Sequence, residues 1–121
     1  MWTYQQSTGQ LSRDGVLVAT GYAGLPPDGK NNPAAQAQRG VGPIPQGMWE
    51  IGPAANYKNL GPCAMALIPA AGTQTFGRSG FFLHGDSRAH PGAASEGCIV
   101  MPNDTRAAVA SSIDRDLQVI A

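Results

Sequence analysis

Cysteine is scarce in this chain, with Cys63 and Cys98 its only two. Two are too few for a disulfide framework, so the fold must rest on a core. One Cys63–Cys98 bridge remains compatible with the sequence alone. Charge is scarce too: 13% of residues are Asp, Glu, Lys or Arg, and the eight basic side chains balance the eight acidic ones. A net charge near zero, without charge runs, gives no electrostatic basis for nucleic acid or an anionic membrane as partner. No apolar run approaches the roughly 18–20 residues of a membrane span. The opening "MWTYQQSTGQ" has neither a basic region nor an apolar one, so no signal peptide is visible. The expectation is synthesis in the cytoplasm.

Glycine and proline are what the chain has in quantity, 16 and 10 residues in a chain of 121. That length suits a single domain, 1–121. Punctuation this dense favours short strands joined by turns. "WTYQQ", "QLSR", "VLVATGY", "MWEIG", "CAMALIP", "FFLHG", "GCIVM" and "LQVIA" read as strands. Asp14-Gly15 is a tight-turn signal between two of them. A helix is predicted after residue 102, capped by Asn103 or Asp104, with Val109 and Ile113 facing the core. The predicted fold class is mostly β, a sandwich or barrel with one short C-terminal helix. Residues 24–47 show no periodicity. Loops of that length are usually functional or disordered. Pro43 and Pro45 favour an ordered extended wall, and Gly40, Gly42 and Gly47 permit close approach of a ligand.

The chemistry concentrates in "FFLHGDSRAHPGAASEGCIVM", residues 81–101. A cysteine attacks acyl carbons as thiolate and needs a base or a lowered pKa. Histidine supplies the base best near neutral pH. Neighbouring strands carrying His84 and Cys98 would bring the two together. A low-pKa Cys98 would alkylate quickly near pH 6. Amides around Gly97 and Cys98 are candidates for an oxyanion site, and Gly85 leaves room beside the histidine. Asp86 or a backbone carbonyl is the expected orienting partner of His84, and Ser95 the expected support of the loop or substrate. The competing reading makes Cys98 a small core hydrophobe; Cys63, with no histidine near it in sequence, reads as core. His84, Asp86, His90 and Cys98 form a set that zinc can take, yet their spacing matches no standard zinc pattern.

The residues "FFLHGD…SEGCIVM" resemble the catalytic motif of the L,D-transpeptidase (YkuD-like) family: a strand ending in His-Gly, a loop, then Ser-x-Gly-Cys and an apolar residue. The matching positions are His84, Gly85, Ser95, Gly97, Cys98 and Ile99. "VGPIPQGMWEIG" and "YQQSTGQL…DGVLVATGYAG" are similar to that family's segments, and the small type VI secretion L,D-transpeptidase effectors are the most similar branch. Glu96 stands where the family usually has histidine, and Val100 where it has a basic or amide residue. The resemblance implies a YkuD-like β-sandwich with Cys98 as nucleophile and His84 as base. It implies peptidoglycan tetrapeptide stems as substrate and no cofactor or metal. The chemistry would be L,D-carboxypeptidase or D-amino-acid exchange. It implies action in the periplasm of a target bacterium after secretion, with a secretion apparatus and an immunity protein as partners. Arg78, Arg88, Pro43 and Gly47 are the candidates for substrate contacts. The alternatives are a non-catalytic cell-wall-binding module on the same fold and a papain-like endopeptidase. In the latter, cysteine usually precedes histidine, the reverse of the order here.

Overall fold

The computed structural model describes residues 1–121. Nine strands form one sheet: β1 (Trp2–Gln5), β2 (Gln10–Arg13), β3 (Val16–Thr20), β4 (Tyr22–Ala23), β5 (Gly47–Tyr57), β6 (Gly61–Pro69), β7 (Phe82–His84), β8 (Ile99–Val100) and β9 (Asp116–Ile120). The spatial order is β3-β2-β1-β9-β5-β6-β7-β8-β4. Only β1/β9 and β7/β8 pair in parallel. Alternation decides which side chains face inward. In β1 and β9 the core residues Trp2 and Tyr4 lie opposite Leu117 and Val119.

The two edges of this sheet, β3 and β4, are consecutive in the chain and separated by Gly21 alone. A nine-stranded sheet whose outer strands share one linking residue must curl until its ends meet, so the expected sandwich is a single, nearly closed sheet. Its two halves enclose the core of Trp2, Tyr4, Trp49, Met65, Ile99 and neighbours. The predicted "VLVATGY" strand breaks at Gly21 because it turns there from one edge to the other. The Gly21 amide donates to the Gly9 carbonyl at 2.8 Å.

The helix α1 (Asn103–Ser111) lies where expected, but its details differ. Its N-cap position is Pro102, without a side-chain cap. Asp104 instead accepts the Thr105 amide at 2.9 Å. Val109 is buried, whereas Ile113 is 96% exposed. The helix ends before Ile113, so the helical period no longer carries that side chain inward. Thr105 and Arg106 share the buried face with Val109.

Residues 24–47 are ordered. A single 3₁₀ turn covers Pro33–Ala35. Leu25 donates to the Val41 carbonyl at 2.8 Å and Asn31 to that of Ala23 at 2.9 Å. Ile44, Pro43 and Pro45 are fully buried. Gln6, buried on the opposite side, donates from its side chain to the Ile44 carbonyl at 2.8 Å.

Candidate functional site

Strands β7 and β8 build the site. Their parallel register sets Leu83 beside Ile99 and His84 beside Val100. Phe81, Leu83, Ile99 and Met101 belong to the core. By alternation, Phe82, His84 and Val100 take the opposite face. Cys98 immediately precedes β8, so the β7/β8 pairing brings it and His84 to neighbouring positions of the sheet. Tyr22 of β4, paired with Val100, adds its ring to the same face as Val100.

The two reactive side chains do not hydrogen-bond each other in this structure. The Cys98 thiol donates to the Gly80 carbonyl at 3.7 Å. His84 Nδ1 lies 2.7 Å from the Gly85 carbonyl. A carbonyl only accepts, so Nδ1 carries the proton of the neutral ring and Nε2 keeps the lone pair. His84 is 4% exposed. Burial pushes its pKa below 6.5, and Arg106 pushes the same way; the Gly85 carbonyl and Asp86 oppose them without prevailing. Burial also raises the Cys98 pKa above its ordinary value. The Phe82 and Cys98 amides and Arg78 pull it down, while Glu96 pushes it up. Both shifts favour a thiol beside a neutral imidazole, so of the two routes to a thiolate it is removal of the proton by a base that fits, and not a lowered pKa. Both cysteines are free, so no Cys63–Cys98 bridge forms.

Asp86 does not orient His84. Its carboxylate accepts the Tyr22 hydroxyl at 2.6 Å and the Ser87 and Gly92 amides. Tyr22 in turn accepts the Ala94 amide at 2.9 Å. Lys30 lies over the Tyr22 ring, 4.3 Å from its centroid. Together these contacts tie the 85–95 loop to β4. Burial pushes the Asp86 carboxyl up, but these donors and Lys30 outweigh it and hold it below its ordinary value. Burial and the Asp86 bond push Tyr22 up to about 12.

Ser95 is a backbone clamp, 1% exposed. Its hydroxyl donates to the Cys98 carbonyl at 2.6 Å and accepts the amides of Gly24 and Gly97 at 2.9 and 3.0 Å. This pinned turn sets the direction of Cys98. It also takes the Gly97 amide out of its expected oxyanion role, leaving the Cys98 amide, beside its own sulfur. Gly97 is required for another reason. Its φ is 147°, and a Cβ there would lie 2.7 Å from the Arg78 guanidinium and 2.8 Å from the Phe81 ring.

Cys98 opens into a cleft of about 350 Å³ whose walls include Arg39, Gly40, Gly77, Gly80, Glu96 and Gly97. Arg78 also borders it, but its guanidinium already donates to the carbonyls of Gln36, Gly42, Pro43 and Glu96. It also sits over the Phe81 ring. Its N–H groups hold the 24–47 segment against the Cys98 turn. Pro43 and Gly47 line no part of the cleft: Pro43 is buried, and Gly47 backs onto Thr73. Arg88 is exposed on the 85–95 loop, outside the cleft. His90, exposed on that loop, donates its amide to Ser87. Sequence reasoning missed Arg39, Tyr22 and Arg106. No motif marks them, because their partners lie far off in the chain. The guanidinium of Arg106 packs on Gly85 and donates to the Met101 and Pro62 carbonyls.

Residues 18–120 match the family model described as the Tlde1 domain. The match starts inside β3 and runs to the end of β9. No curated protein matches the chain, and no solved structure does. No helix is long and apolar enough to cross a membrane.

Proposed function

The chain belongs to the Tlde1 domain family, a family of type VI secretion effectors, and from that premise we propose that it is a cysteine-dependent peptidoglycan L,D-carboxypeptidase and L,D-transpeptidase, delivered to the periplasm of a target bacterium. The observation that carries this reading is Cys98 itself. It lines a cleft, directly before a strand that pairs with the strand of a neutral histidine whose Nε2 is unprotonated. A structural core cysteine has neither.

The chemistry follows from the resting states. The Cys98 thiol leaves the Gly80 carbonyl and turns toward His84. Nε2 takes the thiol proton as sulfur attacks the carbonyl of the diaminopimelate residue in a tetrapeptide stem. The Cys98 amide donates to the oxyanion. The C–N bond breaks, and His84 returns its proton to the departing D-alanine amine. A Cys98 thioester remains. Water cleaves it to a tripeptide, with His84 again as base. A D-amino acid amine instead yields the exchanged stem. No metal or organic cofactor enters these steps. An immunity protein in the producing cell is the expected partner.

Mass spectrometry of muropeptides incubated with the protein tests this. The expected result is tetrapeptide converted to tripeptide, and to an exchanged tetrapeptide when a D-amino acid is added. Cys98→Ala abolishes both products, and Cys63→Ala keeps them. Cleavage between glycan-linked peptides at another bond points to the endopeptidase reading. Binding to sacculi without any product points to a wall-binding module.

A further inference from the structure

The cleft holds two side-chain charges without protein partners. Arg39 borders it and is exposed; its one hydrogen bond goes to the Gly77 carbonyl at 3.0 Å. Glu96 borders it, also exposed, and its carboxylate makes no hydrogen bond. The ion pairs of the molecule all involve Met1, Arg13, Asp14 and Asp114, on the far side of the fold. Arg39 and Glu96 therefore face the same 350 Å³ space, opposite in sign and not joined to each other. The third charge there, Arg78, already donates to four carbonyls. Glu96 is the one nearer the sulfur, two residues before it and close enough for its charge to act on the thiol.

We propose that Arg39 and Glu96 form a subsite for the zwitterion of a free amino acid, the group that departs from the stem and, in exchange, the group that enters. The inference rests on the thioester reading above and assigns the residues that would hold its leaving and entering amino acid. Arg39 has free N–H groups to grip the α-carboxylate, and a guanidinium matches that group with two parallel bonds. Glu96 attracts the α-ammonium to the side of the cleft where the Cys98 acyl carbon sits. In exchange the incoming ammonium first loses a proton to solvent. Its amine then attacks the thioester, His84 Nε2 takes the proton that the attacking nitrogen sheds, the C–S bond breaks, and His84 passes that proton to the leaving sulfur. Water needs neither charge. The two residues thus favour amino acids over water and free C-termini over capped ones.

The test uses tetrapeptide stems with a free C-terminal carboxylate and the same stems carrying a C-terminal amide. With wild type, the free acid should show a KM about tenfold or more below that of the amide. Arg39→Gln should erase that difference by raising KM for the acid alone, and Arg39→Lys should restore part of it. Glu96→Gln should lower the ratio of exchange to hydrolysis at fixed D-amino acid. Equal KM for both stems in wild type, or equal effects of Arg39→Gln on both, overturns the subsite. Calorimetry of both stems binding to Cys98→Ala separates this from the chemistry. Discrimination lost in Cys98→Ala/Arg39→Gln upholds the subsite even if wild type forms no thioester. Identical binding of both stems to Cys98→Ala overturns it even if turnover is observed.

Discussion

At Cys98 the environment sets a protonation state that the motif alone does not reveal. Burial holds the sulfur as a thiol, and burial likewise holds His84 neutral. A proton must move before the sulfur becomes nucleophilic, so reactivity toward a small alkylating agent should be slow near pH 6. In a Cys63→Ala background, the iodoacetamide rate at Cys98 should rise with pH through and beyond the ordinary thiol range. Rapid alkylation at pH 6 would reveal a preformed thiolate–imidazolium pair and overturn this account. His84 has a stability consequence with a definite sign. Its folded pKa lies below 6.5, so between the two values the unfolded chain binds more protons. Stability falls as pH drops below about 6.5 and is flat in this respect above it. His84→Gln should remove that part of the acid slope in thermal melts from pH 7.5 downward, and an unchanged slope would show that His84 is not buried neutral.

Among the elements, the long segment 24–47 depends on Arg78 more than on its own sequence. The guanidinium binds three of its carbonyls and that of Glu96. Arg78→Met keeps the stem over Phe81 but strands those acceptors. The expected cost is about 3 kcal/mol or more, from lost charge-assisted bonds at a buried site. Trypsin should then cut sooner at Lys30 and Arg39 than in wild type, and kcat/KM should fall. Unchanged proteolysis would show that the segment is held by Gln6 and the core alone. This dependence explains what was legible in the sequence. Strands whose inward residues alternate, as in β1 and β9, could be read directly, and Asp14-Gly15 marked its own turn. Pro43 and Pro45 pointed to order in 24–47, but what holds the segment could not be read, since its partners Gln6 and Arg78 lie outside it. Ile113 was misread because a helical period says where a side chain points only while the helix lasts. His84 and Cys98 stood out through their shared window. The clamp role of Ser95 and the loop tie of Tyr22 and Asp86 became visible only when distant backbone met them.

Over the whole molecule, the site exists because the sheet comes round to meet itself. Gly21 joins edge β3 to edge β4, so the short pairing of β4 with β8, Tyr22 with Val100 and Ala23 with Ile99, is the seam that closes the sheet. Ile99 follows Cys98 directly, and Ser95 bonds the Gly24 amide just beyond the seam. Gly21 is the point of closest approach: a Cβ there would lie 1.8 Å from the Val100 carbonyl oxygen and 2.9 Å from the Met101 sulfur. Backbone cannot move aside as a flexible side chain can, so Gly21→Ala must part β4 from β8 or distort both. We expect a loss of about 3 kcal/mol or more in denaturant unfolding, within the range of severe steric substitutions. Gly15→Ala is the control. Its Cβ would meet nothing within 4 Å, and only the positive φ of 83° opposes it, a cost near 1 kcal/mol. The seam also predicts a coupling between stability and chemistry. Any Gly21→Ala protein that still folds should lose kcat/KM beyond its unfolded fraction, because parting the seam moves the Ser95 clamp and with it the direction of Cys98. A Gly21→Ala protein with wild-type stability and turnover would mean that the chain at Gly21 does not approach β8 this closely in solution.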